Sequence, residues 1–284
     1  MSDIGALDYT SERVDPRWYC SSEADYLTYL FHIATYRFAL TYTHGRDVLD
    51  YGCGTGYGTA LLAQSATRTT GIDIDDAAVA YADHEYRRPN LSYLRVPPAE
   101  AGPLPFANGS FDTVVSFQVI EHIHEVRTYL SQIERVLRPG GCVIIATPDR
   151  SSRLFRFQKP WNQFHVTEYS APQLHELLAM TFPQVDVLGM TATPPVIDIE
   201  LRRTRRLRWA LLPLTLPLVP EGLRRAGLGA LKTVSELRTQ RQRHQQLHFD
   251  FDESSIAIGP YAPPCTNLVA VCRKAAAATR GNSE

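Results

Sequence analysis

The segment Asp47-Val48-Leu49-Asp50-Tyr51-Gly52-Cys53-Gly54-Thr55-Gly56 constrains this chain more than any other. A short apolar strand ends in an acid and runs directly into three glycines at alternate positions. Lacking side chains, these glycines let the backbone close on a ligand. The helix expected over Thr59 to Ser65 then offers its free N–H groups and positive dipole end. A second acid, Asp73, ends the next strand 23 residues after Asp50, near the spacing of about 20 at which an acid meets ribose hydroxyls.

The rest of the chain supplies the sheet that such an edge needs. An amphipathic helix is predicted from Ser22 to Leu40, with Ser22 and Asp25 approximating a capping box. After the glycine run come a strand to Asp73, a helix from Ala77 to Tyr86, a short strand near Leu91 to Val96 and a strand over Thr113 to Ser116. A helix from Val126 to Leu137 closes at Arg138-Pro139-Gly140-Gly141 and leads into a strand from Cys142 to Ala146. Repeated β-α units imply a largely parallel sheet covered by helices on both faces. Past Pro148 a loop spans Arg150 to Tyr169. A helix over Ala171 to Met180, a strand over Gln184 to Met190 and a last strand over Asn267 to Cys272 follow. The interval before that last strand is far longer than the usual connection of about 4–6 residues, so it is read as an added helical module.

Charge separates that module from the body. The whole chain carries 29 Lys+Arg against 30 Asp+Glu, but residues 200–247 hold 11 bases and three acids. A net of +8 there leaves −9 on the remainder. The five cysteines are scattered, with no CxxC pair and no signal peptide ahead of them. This disfavours a disulfide scaffold or a cysteine-rich zinc site and fits a cytoplasmic setting. The longest strongly apolar stretch, Trp209 to Val219, contains two prolines and falls short of the roughly 20 residues of a membrane span.

Five ordered segments carry a family resemblance: Val48 to Gly56, Gly71-Ile72-Asp73, Ser110-Phe111-Asp112-Thr113-Val114-Val115, Val119-Ile120-Glu121-His122-Ile123 and Arg135 to Gly141. In order and spacing, from about Arg46 to Pro148, the chain resembles the class I S-adenosylmethionine-dependent methyltransferases. A dinucleotide-binding GxGxxG starting at Gly54 would need glycine at position 59, whereas Gly58 comes one residue early. The resemblance implies an α/β, Rossmann-like, doubly wound and mostly parallel seven-stranded sheet with a helical insertion before the last strand. The expected organisation is an N-terminal helical cover at 1–45, a cofactor-binding core at 46–195, the basic helical insertion at 196–255, and a final strand with a flexible tail at 256–284.

The resemblance also implies S-adenosyl-L-methionine as cofactor. Gly52, Gly54 and Gly56 would pass beneath its methionine and ribose, with Cys53, Ile74 and Gln118 beside it. Asp73 would hold the ribose hydroxyls, and Asp50 would orient the loop and meet the amino group, directly or through water. Pro97 and Pro98 interrupt the usual Asp-Ala step, so Glu100 or the backbone at Ala99 is expected at the adenine. Arg37 is either a partner of the cofactor carboxylate or a surface cation. Ser11-Glu12-Arg13-Val14-Asp15-Pro16 is similar to the Gly-Glu-Arg-x-x-Pro opening of bacterial relatives.

The sulfonium methyl is already activated, so the protein must align the acceptor and, for a hydroxyl, remove a proton. The first candidate base is His165, in an Asn162-to-Tyr169 segment that resembles Asn-x-Phe-His-x-x-Glu-Tyr of glycan- and glycolipid-associated methyltransferases; its alternative role is to tie the loop down. Glu121 and His122 either orient the acceptor or pack the neighbouring loops. Asp149 and Glu168 could complete an oxygen-rich Mg²⁺ site, although no metal spacing signature supports one.

These features suggest O-methylation of a sugar hydroxyl on a glycan or glycolipid precursor. The alternatives are a diffusible aromatic, quinone or amine acceptor lined by Phe155, Phe157, Trp161 and Phe164, or cofactor binding without catalysis. The basic insertion reads as a lid over the acceptor, as a peripheral contact with anionic membrane through residues 200–247, or as a phosphate-binding stripe. No RNA-binding module accompanies it, so nucleic acid is not the expected partner.

Overall fold

The computed structural model describes residues 22–240 and 249–277, with residues 234–240 as backbone only. The opening segment from Ser11 to Pro16 and the arginines at 241 and 243 lie outside the described residues. Eight strands form one sheet: β1 (Asp47–Tyr51), β2 (Arg68–Asp73), β3 (Leu91–Arg95), β4 (Phe111–Phe117), β5 (Leu137–Pro148), β6 (Gln184–Ala192), β7 (Ile256–Pro260) and β8 (Asn267–Arg273). Their order is β3-β2-β1-β4-β5-β8-β6-β7. Pairings among β1 to β5 are parallel, β8 runs antiparallel between β5 and β6, and β7 pairs antiparallel with β6.

The sheet has one strand more than the seven expected. Ile256-Ala257-Ile258-Gly259-Pro260 is short and ends in Gly-Pro, a composition that resembles a loop. It is tolerated because β7 pairs only with β6, at the sheet edge, where proline need not supply a ladder donor.

Alternation along each strand builds two cores, because successive side chains point to opposite faces. Leu49, Val114, Val143, Ile145 and Ala270 pack with Tyr129, Leu130 and Ile133 of α4 (Val126–Val136) and with Leu174 and Leu178 of α6 (Ala171–Ala179). Val48, Val115, Ile144, Val269 and Val271 face the other way, against Leu27, Leu30, Ile33 and Tyr36 of α1 (Glu23–Thr43). Ser22 caps α1 by accepting the Asp25 N–H at 3.1 Å, and its hydroxyl donates to the Asp25 carboxylate at 2.7 Å. The other helices of the body are α2 (Tyr57–Leu62), α3 (Asp76–Glu85) and α5 (Arg150–Arg153).

Between β6 and β7 lie α7 (Pro194–Ala210), α8 (Leu212–Thr215) and α9 (Glu221–Gln240). They bind the loop that follows α5. Gln158 donates to Thr215 Oγ1 at 2.7 Å and to the Arg208 carbonyl at 3.1 Å, Lys159 donates to the Val219 carbonyl at 2.9 Å, and Arg224 donates to the Pro160 carbonyl at 2.6 Å. Among the described residues no helix is long and apolar enough to cross a membrane.

Replacing Ile133, fully buried in α4, with alanine is expected to cost about 2–5 kcal/mol in urea unfolding, from lost burial and the cavity left behind. Arg127→Ala, on the exposed side of the same helix, should change stability by no more than about 0.5 kcal/mol.

Candidate active site

The strand order reverses between β1 and β4, and a cavity of about 610 Å³ opens there, beyond the carboxyl ends of β1, β2 and β4. The glycine loop forms part of its wall through Gly52, Cys53, Gly54 and Thr55. Gly54, at φ +51, presents its missing Cβ to open space, and its N–H donates to Asp73 Oδ2 at 2.9 Å. Asp73 Oδ1 accepts the Asp75 N–H at 3.0 Å, so the carboxylate bridges the loop and the start of α3 while lining the cavity. Ile74, Ala99, Glu100 and Gln118 also line it, as expected. Ile74 is 55% exposed, an apolar surface that a ligand can cover. Gln118 is held at φ +56, the one positive-φ residue other than glycine among the described residues.

Three of the expected cofactor contacts are not in the cavity wall. Gly56, at φ +82, caps α2, and a Cβ there would lie 2.5 Å from the Ala82 Cβ; the residue serves close packing. Asp50 is fully buried beneath the wall, accepting from Thr59 Oγ1 at 2.7 Å and the Tyr36 hydroxyl at 3.2 Å. It positions the loop from below and does not face an amino group across the cavity. Arg37 points outward, 56% exposed, and pairs with Glu253 at 2.8 Å; the charge on α1 is the surface cation of the two readings.

The wall also contains residues that the motifs did not mark. His32, Tyr36 and Tyr57 reach it from α1 and α2, with Phe117 and His124 from the β4 side. Burial lowers the His32 pKa to about 4, which keeps its ring neutral. The spacing of His32 and Tyr36, one helical turn apart on α1, was the available signal.

The three catalytic candidates do come together. One ligand-capable atom from each of Glu121, His122 and His165 lies within 4.8 Å of the other two. His122 lines the cavity, and His165 packs edge-on against its ring at 4.8 Å without joining the cavity wall. His165 is 6% exposed and its Nδ1 contacts Glu168 at 2.8 Å. Burial alone would raise the pKa of Glu168, but Arg153, at 3.0 Å, and His165 outweigh it and hold it down to about 2. Glu121 is 1% exposed; Thr147 donates to its Oε2 at 3.0 Å, while Oε1 has no hydrogen-bond partner among the described residues.

The oxygen-rich Mg²⁺ arrangement is not formed. Asp149 caps α5 by accepting the Ser151 N–H at 2.8 Å, and the Tyr261 hydroxyl lies 3.4 Å from its other oxygen. Glu168 is committed to Arg153 and His165.

Burial raises the Asp50 pKa from 3.8 to about 7, against the lowering effect of the Thr59 and Tyr36 hydrogen bonds. The folded state thus binds this proton more tightly than the unfolded chain does. The stability it contributes is full below about pH 4 and is lost as pH rises through about 7. In urea unfolding without ligand, the stability of Asp50→Asn relative to the parent is expected to improve between pH 5 and pH 8. A pH-independent difference would place the charge elsewhere.

A family model described as a methyltransferase domain matches residues 49–145. A protein from Mycolicibacterium smegmatis, named "Probable S-adenosylmethionine-dependent methyltransferase", is 36% identical over 198 residues, covering 69% of this chain and 74% of the relative. Demethylmenaquinone methyltransferase of Tropheryma whipplei is 30% identical over 138 residues, 48% of this chain and 54% of the relative. A solved S-adenosylmethionine dependent methyltransferase from Mesorhizobium loti superposes with TM-score 0.53 at 14% identity, over 86% of this chain and all of the other, a likeness of fold. With the glycine loop, Asp73 and the cavity in their places at the reversal of strand order, this chain belongs to the class I S-adenosylmethionine-dependent methyltransferases.

Proposed function

We propose that the enzyme transfers the methyl group of S-adenosylmethionine to a hydroxyl of a saccharide acceptor, on a glycan or glycolipid precursor. The observation that carries this reading is the Glu121, His122 and His165 cluster, with His122 at the cavity wall. A hydroxyl is a poor nucleophile until its proton is drawn away, and this cluster brings one basic group, His122, to the wall where an acceptor can reach it. His32, Gln118 and His124 add polar groups suited to sugar hydroxyls. The resemblance of Asn162 to Tyr169 to glycan-associated enzymes points the same way.

In the reaction the acceptor oxygen forms a bond to the methyl carbon, the S–CH₃ bond breaks with its electron pair remaining on sulfur, and the acceptor proton leaves to a base. The protein aligns the two reactants in line and assists loss of that proton. The cofactor would lie over Gly52 to Gly54, its ribose hydroxyls on Asp73 and its adenine beside Ile74, Ala99 and Glu100. Tyr36, Tyr57, Phe117 and Phe164 in the same wall favour a second reading, an aromatic or quinone acceptor.

The insertion fits both a cover for the acceptor loop and a peripheral contact with anionic membrane. Lys232 sits 4.4 Å over the ring of Phe164, a cavity residue, which supports the cover. Leu218, 94% exposed, with exposed Trp209, Leu223, Arg205, Arg206 and Arg225 supports the membrane contact.

Incubation of the enzyme with methyl-labelled cofactor and fractionated extract is expected to place label in saccharide fractions, recovered as O-methyl sugar after acid hydrolysis; label confined to aromatic metabolites would establish the second reading instead. His122→Ala should lower kcat by roughly 10²–10⁴-fold, the scale of acid–base assistance, with binding of S-adenosylhomocysteine retained. Asp73→Ala should weaken cofactor binding about 10–150-fold in calorimetry, corresponding to hydrogen bonds to a charged group worth about 1.5–3 kcal/mol. Vesicles containing anionic lipid should float the full chain at low salt, and Trp209→Ala combined with Leu218→Ala should reduce the floated fraction. Equal flotation by neutral vesicles would count against the charged contact.

A further inference from the structure

We propose that Glu121, His122 and His165 form a binding site for one divalent transition-metal ion at the acceptor side of the cavity. Nothing in the family match calls for such an ion, and the inference comes from how each ligand is prepared. Glu121 is buried, with Oε2 held by the Thr147 hydroxyl and Oε1 lacking a hydrogen-bond partner among the described residues. A buried carboxylate oxygen without a donor is destabilising, a penalty that a bound cation removes.

In both imidazoles the contacts at Nδ1 leave Nε2 as the unprotonated nitrogen. The Nδ1 of His122 lies 3.2 Å from the Phe164 carbonyl, which can only accept, so Nδ1 carries the proton and Nε2 is the basic nitrogen. The Nδ1 of His165 lies 2.8 Å from the Glu168 carboxylate, which also accepts from Arg153 Nε at 3.0 Å, so this ring too keeps its proton on Nδ1. A carboxylate behind a histidine fixes the tautomer and raises the basicity of the metal-facing nitrogen, the arrangement found behind protein metal ligands in general. Two imidazoles and one carboxylate, with ligand-capable atoms within 4.8 Å of one another, leave coordination positions for water or substrate. Because His122 lines the cavity, those positions face the acceptor.

Mixed nitrogen and oxygen ligands favour Mn²⁺, Fe²⁺, Co²⁺ or Zn²⁺ over Mg²⁺. Resting on the hydroxyl-acceptor reading, the ion would bind the acceptor oxygen as a Lewis acid and lower its pKa, with the proton released to water before the oxygen attacks the methyl carbon. Binding of the ion itself does not depend on that reading.

The test uses the full chain, stripped with chelator and then titrated with Co²⁺ and Mn²⁺ separately. Calorimetry and elemental analysis should show one ion per chain, with visible absorption from bound Co²⁺. Glu121→Gln and His165→Gln should each weaken binding at least tenfold, and Glu168→Gln about 10–100-fold through the neighbouring histidine. Retained binding of S-adenosylhomocysteine certifies that a variant is folded. The proposal is overturned if the folded parent binds neither ion at millimolar concentration, or if Glu121→Gln binds as tightly as the parent. One ion per chain without any O-methyl sugar product would leave the site standing and remove the saccharide reading.

Discussion

The buried carboxylate of Asp50 is the interaction on which the site depends. It ends β1 beneath the glycine loop and is held by Thr59 from α2 and Tyr36 from α1, so one side chain joins three elements. The packing around it is correspondingly tight. A Cβ on Gly58 would lie 2.0 Å from the Tyr36 ring, which means that the ring reaches Asp50 only because position 58 has no side chain. The same tyrosine then lines the cavity, so the contact that anchors α1 to the sheet also shapes the wall that a substrate meets. Isolated in a low-dielectric setting, the carboxylate resists ionisation, and a cationic ligand above the loop would favour its charged form.

On the acceptor side a second buried carboxylate behaves in the opposite way. Glu168 is as deeply enclosed as Asp50, yet it is held ionised because a guanidinium and an imidazole contact it directly. The contrast shows that burial alone does not determine protonation, because charges in direct contact can outweigh it. Arg153 also lies 4.7 Å from the Trp161 ring, which ties the ion pair to the loop carrying His165. His165 therefore has little freedom to swing into the cavity as an independent base, and whatever it contributes must pass through His122 or through something held between them.

The fold and the cofactor half of the site were legible because both are written in local patterns. Alternation at Val48 and Leu49, Val114 and Val115, and Ile144 and Ile145 assigns two faces to each strand, and the glycine run with Asp73 locates the loop. Position along the chain could not say which side of the loop each residue faces. Asp50 and Gly56 sit within the motif but beneath its surface, and Arg37 lies one residue after Tyr36 but about 100° around the helix, where it meets Glu253. His32 and Tyr36 carry only the faint signal of their spacing on α1, and Tyr57 at the start of α2 carries none, because the wall they form arises from tertiary packing. β7 was missed for a similar reason: five residues ending in Gly-Pro become a strand only when β6 provides an edge.

The charge asymmetry takes on a different meaning once partners are assigned. Several arginines of the +8 segment are structural. Arg203 pairs with buried Glu200, Arg224 is buried between Glu221 and the Pro160 carbonyl, and Arg208 lies 4.4 Å over the Phe155 ring. The Arg224 and Arg208 contacts use cationic groups to hold the insertion on the loop from Phe155 to His165. Among the described side chains, the charge remaining for an external surface sits mainly on exposed Arg202, Arg205, Arg206 and Arg225, of which Arg202 and Arg225 already face acids on their own helices. A module built this way couples the acceptor loop to whatever its exposed residues touch, because displacing α9 would pull on Pro160 and on the Lys232 contact to Phe164 together. A lid and a membrane contact would then be two consequences of one construction, since a surface engaging α8 and α9 would act on the same loop that carries His165.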